Sequence, residues 1–405
     1  MSIKPASKAF SVEGRIKRRL RAHLSSLGFE RADDGSLVLP GAGKETVRAL
    51  HRKQRLEVIA RNAEFVKSQL PALRCHFASG DEVVADKIKP VMQRVSADTW
   101  ESSLFRLASL TWSVPVSAGF GRRMRYLVWD ESNGKLIGLV AIGDPVYNLA
   151  VRDNLIGWSV ADRAERLVCV MDAYVLGAVP PYNALLGGKL VASLLRTRDV
   201  YNDFKDTYGG TTGIISGREK QARLLAITTS SSMGRSSVYN RLKLGGTTYF
   251  RSIGYTGGWG HFHIPDDLFE EMREYLRTIQ HHYADFHAFG QGPNWRLRTV
   301  RAALDALGFK QDMLKHGIQR EVFLSELANN SLRILSGHEK RPNLKTLLST
   351  EEVGQAAVER WMVGRAERMP EFRQWRNDDL LRLIHATNGG DSAKPTLDSL
   401  KARRK

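Results

Sequence analysis

One stretch, "TTSSSMGRSSVYNRLKLGG", combines cations with hydroxyl groups over a few residues. Arg235 and Arg241 carry positive charge, and Ser236, Ser237 and Tyr239 carry hydroxyls. These side chains suit phosphate oxygens and exposed bases, so the segment predicts a nucleic-acid contact. The alternative is scaffold, in which the serines cap a short helix and the tyrosine packs inward.

A second stretch, "VLGAVPPYNALLGGKLVASLL", predicts a strand, a glycine turn and a helix. Backbone N–H groups at a helix N-terminus attract anions. Gly187 and Gly188 allow close backbone approach, and Lys189 adds a charge, so these three residues form a candidate anion-binding turn. The turn is neither a Walker A loop nor a G-x-G-x-x-G dinucleotide loop.

Two histidines in "GYTGGWGHFHIP" raise the question of a metal or an acid–base pair. His261 and His263 point to one side if this segment is a strand. Asp266 and Asp267 follow closely, but no third ligand stands at a fixed spacing. The sequence therefore predicts no metal site, with His261 and His263 as the candidates if a metal is bound.

The segment "SVEGRIKRRLRAHLSSLGF" predicts an amphipathic helix with Ser11 as its N-cap. The other faces of this helix are basic, and its candidate phosphate contacts are Lys17, Arg18, Arg19 and Arg21. The chain as a whole has a net charge of +18 and a pI near 10. Such a surplus attracts polyanions, so nucleic acid, with DNA foremost, is the predicted partner.

The order of the elements predicts an α+β chain. The runs "RMRYLVWD" and "KLIGLVAIGD", joined by the Asn-Gly turn in "ESNGK", predict a hairpin. This hairpin, a further strand, the glycine turn with its helix, and two closing strands follow the element order of the GCN5-related acyltransferase (GNAT) fold. The regions predicted are a basic helical region (1–115), a GNAT-like mixed α/β sheet domain (116–265), a helical region (266–388) and a disordered basic tail (389–405). The acyltransferase pyrophosphate loop, Gln/Arg-x-x-Gly-x-Gly/Ala, does not match, because Leu186 stands where its first glycine belongs.

The composition argues against a membrane-spanning, a disulfide-rich or a secreted protein. The sequence has an ordinary apolar fraction of 42% and no run of eighteen apolar residues, which predicts no membrane span. Two cysteines form neither a disulfide framework nor a cysteine-based zinc site. The N-terminus lacks the apolar core of a signal peptide, so a cytoplasmic location is expected.

Several runs together resemble one family. They are "IGWSVADRAERL", "VMDAYVLGAVPPYNALLGGKLVASLL", "MGRSSVYNRL", "GYTGGWGHFHIP", "GPNWRLR" and "LKHGIQREVF". From about Arg125 to about Gly337 the chain resembles the DruA family of Druantia anti-phage defence systems. The resemblance implies a role in defence beside other Druantia subunits, one of them a large helicase-like protein. It does not indicate which residues are catalytic or whether a cofactor is bound.

Three hypotheses follow from the residues and the resemblance. The first is a nucleic-acid-binding defence component. The second is a metal-dependent nuclease or strand-transfer enzyme on DNA that uses His261 and His263. The third is an acyl-coenzyme A-dependent N-acyltransferase that uses the glycine turn. Catalytic residues and cofactors are unknown at this stage.

Overall fold

The computed structural model describes most of the chain in twelve stretches. They are residues 11–31, 33, 37–38, 44–116, 119, 121–212, 219–220, 222–231, 236–256, 264–285, 295–309 and 319–385. The chain divides into two compact units, the first made of 1–54 and 257–319 and the second of 55–256 and 320–405.

Twelve strands are present in the described residues. In chain order they are β1 (Glu30–Arg31), β2 (Leu37–Val38), β3 (Pro90–Arg94), β4 (Arg123–Asp130), β5 (Lys135–Gly143), β6 (Val170–Ala178), β7 (Thr211–Thr212), β8 (Glu219–Lys220), β9 (Ala226–Ser230), β10 (Leu242–Leu244), β11 (Thr247–Tyr255) and β12 (Glu321–Glu326).

Fourteen α-helices are present in the same residues, and a π-helical segment (Val358–Val363) joins two of them. They are α1 (Val12–Ser26), α2 (Lys44–Arg61), α3 (Ala63–Leu73), α4 (Trp100–Ser109), α5 (Ala150–Ile156), α6 (Val160–Arg166), α7 (Gly187–Leu194), α8 (Arg198–Tyr208), α9 (Asp266–Thr278), α10 (Trp295–Ala306), α11 (Ser331–Leu335), α12 (Thr350–Ala357), α13 (Gly364–Arg368) and α14 (Leu380–His385). None of these helices combines the length and apolarity needed to cross a bilayer.

Eight strands of the second unit form one mixed sheet in the order β10-β11-β12-β9-β6-β5-β4-β3. Every neighbouring pair is antiparallel except β6 and β9. This parallel pairing covers three residues of β6 and ends at Asp172 opposite Thr228. Parallel strands need a crossover, and here it carries α7 and α8. The predicted combination of helices with a mixed α/β sheet is therefore confirmed.

Both faces of the sheet are covered by apolar clusters. One face packs on α7, α8 and α12 through residues such as Val140, Met171 and Phe323. The other face has two clusters, one shared with α3, α4 and α14 and one shared with α5 and α11. Because side chains alternate along a strand, Asp172 shares this second face with Val170 of the latter cluster.

The first unit has its own apolar core, formed by α1, α9 and α10. Ile16 and Leu20 of α1 are fully buried with Phe269 and Met272 of α9. Buried positions recur every three to four residues on α1 and α9, which is why each helix has one apolar stripe.

The structure differs from the sequence prediction at the segment around Tyr239. The scaffold alternative places a short helix there, but residues 237–241 form a hydrogen-bonded turn. The Ser236 hydroxyl accepts hydrogen bonds from the N–H groups of Val238 and Tyr239. Arg241 then has a φ of +57°, which a right-handed helix does not accept. The helix prediction is wrong for the described residues.

Candidate functional site

The basic faces of α1 are set by its buried stripe. Ser11 caps the helix by accepting a hydrogen bond from the Gly14 N–H at 3.2 Å. With Ile16, Leu20 and Leu24 turned into the core, Arg15, Arg18 and Arg21 lie exposed at three-residue spacing. We call these three residues the α1 arginine stripe. A phosphate backbone can approach it without unfolding any part of the core.

The four predicted contacts on α1 differ in their surroundings. Arg19 forms ion pairs with Asp267 and Glu271 of α9, so its charge already joins two helices of the unit. The Lys17 ammonium stands 4.0 Å from the carboxylate of Glu13, one turn earlier on α1. The Arg21 guanidinium lies 5.8 Å from the centroid of the Phe309 ring. Arg18 is exposed. Nucleic-acid contact stays a prediction for all four.

The structure separates the residues predicted around Arg241. The Tyr239 ring packs against Phe250 and Phe323, with centroids 5.4 and 5.2 Å away, and burial raises the pKa of Tyr239 to about 12. Ser236 serves the turn through its hydroxyl. Ser237 and Arg241 are exposed, and Arg235 lies outside the described residues. Tyr239 thus has a packing role, while Ser237 and Arg241 remain predicted contacts.

The glycine turn is tightly packed. A Cβ on Gly187 would stand 2.6 Å from the Tyr182 carbonyl oxygen, so a glycine is required for close packing where α7 begins. At Gly188 the nearest neighbour of a Cβ is the Val238 side chain at 3.6 Å. The Lys189 ammonium donates to the Asn240 carbonyl at 3.4 Å. The segment around Val238 therefore lies beside the turn, and anion binding there stays a prediction.

Burial also affects the charge of the turn. Lys189 is half-buried and its ammonium lies 5.6 Å from the centroid of the Trp361 ring. Burial lowers the pKa of Lys189, because a buried ammonium loses hydration. An anion at the turn would reverse this effect by favouring the charged form.

The histidine candidates lie outside the described residues. Of the two aspartates near them, Asp266 pairs with Arg296 at 3.0 Å, and Asp267 pairs with Arg19. Across the described ranges no group of three or more His, Cys, Asp and Glu side chains is placed to hold a metal ion.

A carboxyl group outside the predicted site residues lies where the pairing of β6 and β9 ends. Asp172 ends the parallel pairing, and its Oδ1 accepts a hydrogen bond from the Thr228 hydroxyl at 2.7 Å. The residue keeps some exposure to solvent although its carboxyl group lies deep among protein atoms. Burial raises the pKa of Asp172 to about 6, against the opposing effects of Thr228 and the Arg152 charge. The carboxyl group can therefore exchange a proton near neutral pH.

A cavity of about 690 Å³ opens on the same face of the sheet, and we call it the α4 cavity. Its walls combine four aromatic rings, two guanidinium groups, one carboxylate and several hydroxyls. The lining residues are Phe65, Asp98, Thr99, Trp100, Ser102, Ser103, Phe105, Arg106, Ser109, Val116, Arg125 and Tyr174. Aromatic rings beside cations are typical of sites for nucleotides and single strands.

The sequence contains a signal for the Asp172 carboxyl group and one for the α4 cavity. Asp172 stands in the run "VCVMDAYV", and Arg125 stands in "RMRYLVWD". A charged side chain in the middle of an apolar strand is costly to bury unless it is paired, so its presence indicates an ion pair or a functional role. Only the fold shows that Arg125 and Tyr174, on separate strands, line one cavity with α4.

These features define an α/β protein with a mixed eight-stranded sheet and an exposed basic helix. The family model described as "Druantia protein DruA" matches residues 41–337. The Druantia protein DruA of Escherichia coli (strain UMEA 4076-1) is 63% identical over 372 residues, which cover 92% of each chain. The chain therefore belongs to the DruA family and is a component of an anti-phage defence system. No solved structure matches it.

Proposed function

We propose that this chain binds nucleic acid, with DNA foremost, in a Druantia system and acts there beside other Druantia subunits. The observation that carries the proposal is the α1 arginine stripe, in which Arg15, Arg18 and Arg21 are exposed on one helix. The net charge of +18 supports it, because a strongly positive surface draws polyanions over distance.

The spacing of the stripe suits a phosphate backbone. Three residues of α-helix rise by about 4.5 Å, and the three guanidinium groups are turned apart by about 60° per step. Long flexible side chains at such positions can reach successive phosphates. Each phosphate that is neutralised releases counterions, so binding through the stripe must weaken as salt rises.

Replacing Arg15, Arg18 and Arg21 together by alanine is expected to weaken duplex DNA binding. The slope of log affinity against log salt should become shallower by about one for each arginine that contacts a phosphate. The melting temperature should change little, since the three side chains are exposed and the ion pair of Arg15 with Glu271, at 3.8 Å, is a surface pair of small energy. Fluorescence anisotropy on the full chain measures the first effect and a thermal melt the second.

The matched control replaces Arg341, Arg360 and Arg368 by alanine, since these arginines are equally exposed but belong to the other unit. This control removes the same net charge as the α1 variant. It should therefore show only the loss of DNA affinity that comes from the lower overall charge of the chain. In cells, phage protection should fall with the α1 variant more than with the control. Equal DNA affinity for the parent and the α1 variant would contradict the proposed contact.

A GNAT-like domain with acyl transfer is a second candidate. The chain order supports it: hairpin β4–β5, strand β6, glycine turn, helix α7 and closing strands β9 and β11. The ionisable carboxyl of Asp172 near the start of β6 could accept a proton from an amine. Val238 beside Gly188 counts against it, because this side chain lies where a pyrophosphate would approach. Calorimetry with acetyl-coenzyme A separates this candidate from simple DNA binding.

The nuclease hypothesis stays a prediction, because His261 and His263 lie outside the described residues. Its test is DNA cleavage with magnesium or manganese, comparing the parent with His261→Ala and His263→Ala. Cleavage lost in both variants would favour it over simple binding.

A further inference from the structure

We infer that the α4 cavity holds an unpaired base of a nucleic acid chain, with Trp100 as the stacking surface and Arg106 and Arg125 facing the adjoining phosphates. The inference rests on the proposed function and adds to it a site and a form of nucleic acid. All the residues on which the inference rests belong to the second unit. None of them belongs to the α1 arginine stripe, so the two sites can be tested separately.

Trp100 is an exposed ring on a firm support. One face of its ring stacks on the His76 ring, with centroids 4.8 Å apart and planes 22° apart, and the centroid of the Trp129 ring lies 6.3 Å from that of Trp100. The residue is nonetheless 48% exposed, so much of the indole remains open. Burial, with the nearby Lys135 charge, lowers the pKa of His76. The support is therefore neutral at neutral pH, and a base can extend the stack.

The guanidinium of Arg106, which lines the same cavity as Trp100, is held in place by two contacts. It lies 4.0 Å from the centroid of the Phe65 ring, and its Nε–H donates to Asn62 Oδ1 at 2.8 Å. These contacts orient the guanidinium plane and use one N–H, which leaves the Nη groups for a ligand. A planar, oriented guanidinium matches two oxygens of a phosphate.

Arg125 supplies the second cation of the cavity. Its guanidinium lies 5.7 Å from the centroid of the Phe105 ring, and it lowers the pKa of Tyr174, which burial raises. Among the described lining residues, Asp98 is the one carboxylate beside these two arginines. The lining therefore has a net positive charge, which favours phosphates over acceptors without charge.

Size and shape favour an unpaired base over a duplex. A volume of about 690 Å³ lies within the range of about 300–1,000 Å³ typical of ligand sites. Bases inside a duplex are stacked on each other and cannot reach a ring that lines a cavity. A single strand can place a base against Trp100 and keep its phosphates beside Arg106. Stacking of this kind tolerates any base, because every base has a π-face.

The test uses the full chain and a single-stranded oligonucleotide that contains 2-aminopurine, whose fluorescence falls when it stacks. The parent should quench the probe. Trp100→Ala should weaken single-strand binding about 10-fold and lose the quenching, with the salt slope and duplex binding unchanged. Trp100→Phe should restore most of the affinity. Tyr255→Ala, which removes another 48% exposed ring outside the cavity, should bind like the parent.

Arg106→Ala supplies an independent readout, since this side chain is exposed and its loss leaves the core intact. It should lower the magnitude of the single-strand salt slope by about 0.7, the value for one phosphate. If the parent binds single strands while Trp100→Ala and Arg106→Ala both bind as the parent does, the cavity inference is overturned and the proposed function stands. If the parent binds neither single strands nor duplexes, the proposed function itself is overturned.

Discussion

Replacing Arg152 by alanine is expected to lower the free energy of unfolding by about 3–5 kcal/mol. Arg152 is fully buried, and its guanidinium donates to Asp153 Oδ1 and to the carbonyls of Val146 and Tyr147. Alanine would leave a buried carboxylate and two carbonyl groups short of donors. It would also remove the positive charge of Arg152, which stabilises the ionised form of Asp172. Urea unfolding of the full chain measures the loss.

Arg166→Ala is the control for this prediction. Arg166 forms a half-exposed ion pair with Asp162 one turn away on α6, and such pairs contribute about 0.3–0.5 kcal/mol. Equal losses in the two variants would contradict a structural role for the Arg152 hydrogen bonds. A double variant, Arg152→Ala with Asp153→Asn, should recover part of the loss, because it removes the charge of a buried carboxylate that would keep only the ion pair with Arg163 at 2.9 Å.

Replacing Asp172 by asparagine is expected to stabilise the protein at pH 7 by up to about 3 kcal/mol. Burial raises the pKa of Asp172 to about 6 from an ordinary value of 3.8. A raised carboxyl pKa means that the folded state binds the proton more tightly than the unfolded state. Folding therefore opposes ionisation, and the cost grows as pH rises from about 4 to about 6. Each unit by which the pKa of the folded state exceeds that of the unfolded state corresponds to about 1.4 kcal/mol.

The pH profile distinguishes this effect from ordinary repacking. The advantage of Asp172→Asn should be full above about pH 6 and vanish towards pH 4, where the aspartate of the parent is protonated. Asp86→Asn, at an exposed aspartate, gives the background. A variant that is less stable than the parent at pH 7 would contradict the prediction. A carboxyl group that costs stability marks Asp172 as a functional-site candidate.

Much of the sheet was predictable from local patterns. The segment predicted as the first strand of the hairpin, "RMRYLVWD", is β4 residue for residue, and the Asn-Gly pair in "ESNGK" joins it to β5. These strands follow from β-branched and aromatic runs that end at turn residues. No strand was predicted from the sequence at β12, although this strand lies between β11 and β9 in the sheet. Its six residues, "EVFLSE", are too short for a period to be recognised.

The site was less predictable than the fold, because its features depend on contacts between distant residues. The basic stripe of α1 follows from helical spacing alone. The burial of Tyr239 does not, since Phe323, which stands more than eighty positions later, makes one of its aromatic contacts. The α4 cavity likewise joins α4 to strands β4 and β6. Such contacts between distant residues cannot be predicted from sequence spacing, because they depend on the order of the strands in the sheet.

The most direct test of nucleic-acid binding is the affinity of the full chain for duplex DNA between about 50 and 200 mM salt. Three arginines on phosphates predict a log–log slope of about −2.7 or steeper, at about −0.9 for each phosphate. Affinity should then fall by about 40-fold or more over that range. A slope near zero, or no binding at the lowest salt, would contradict a function based on phosphate contacts.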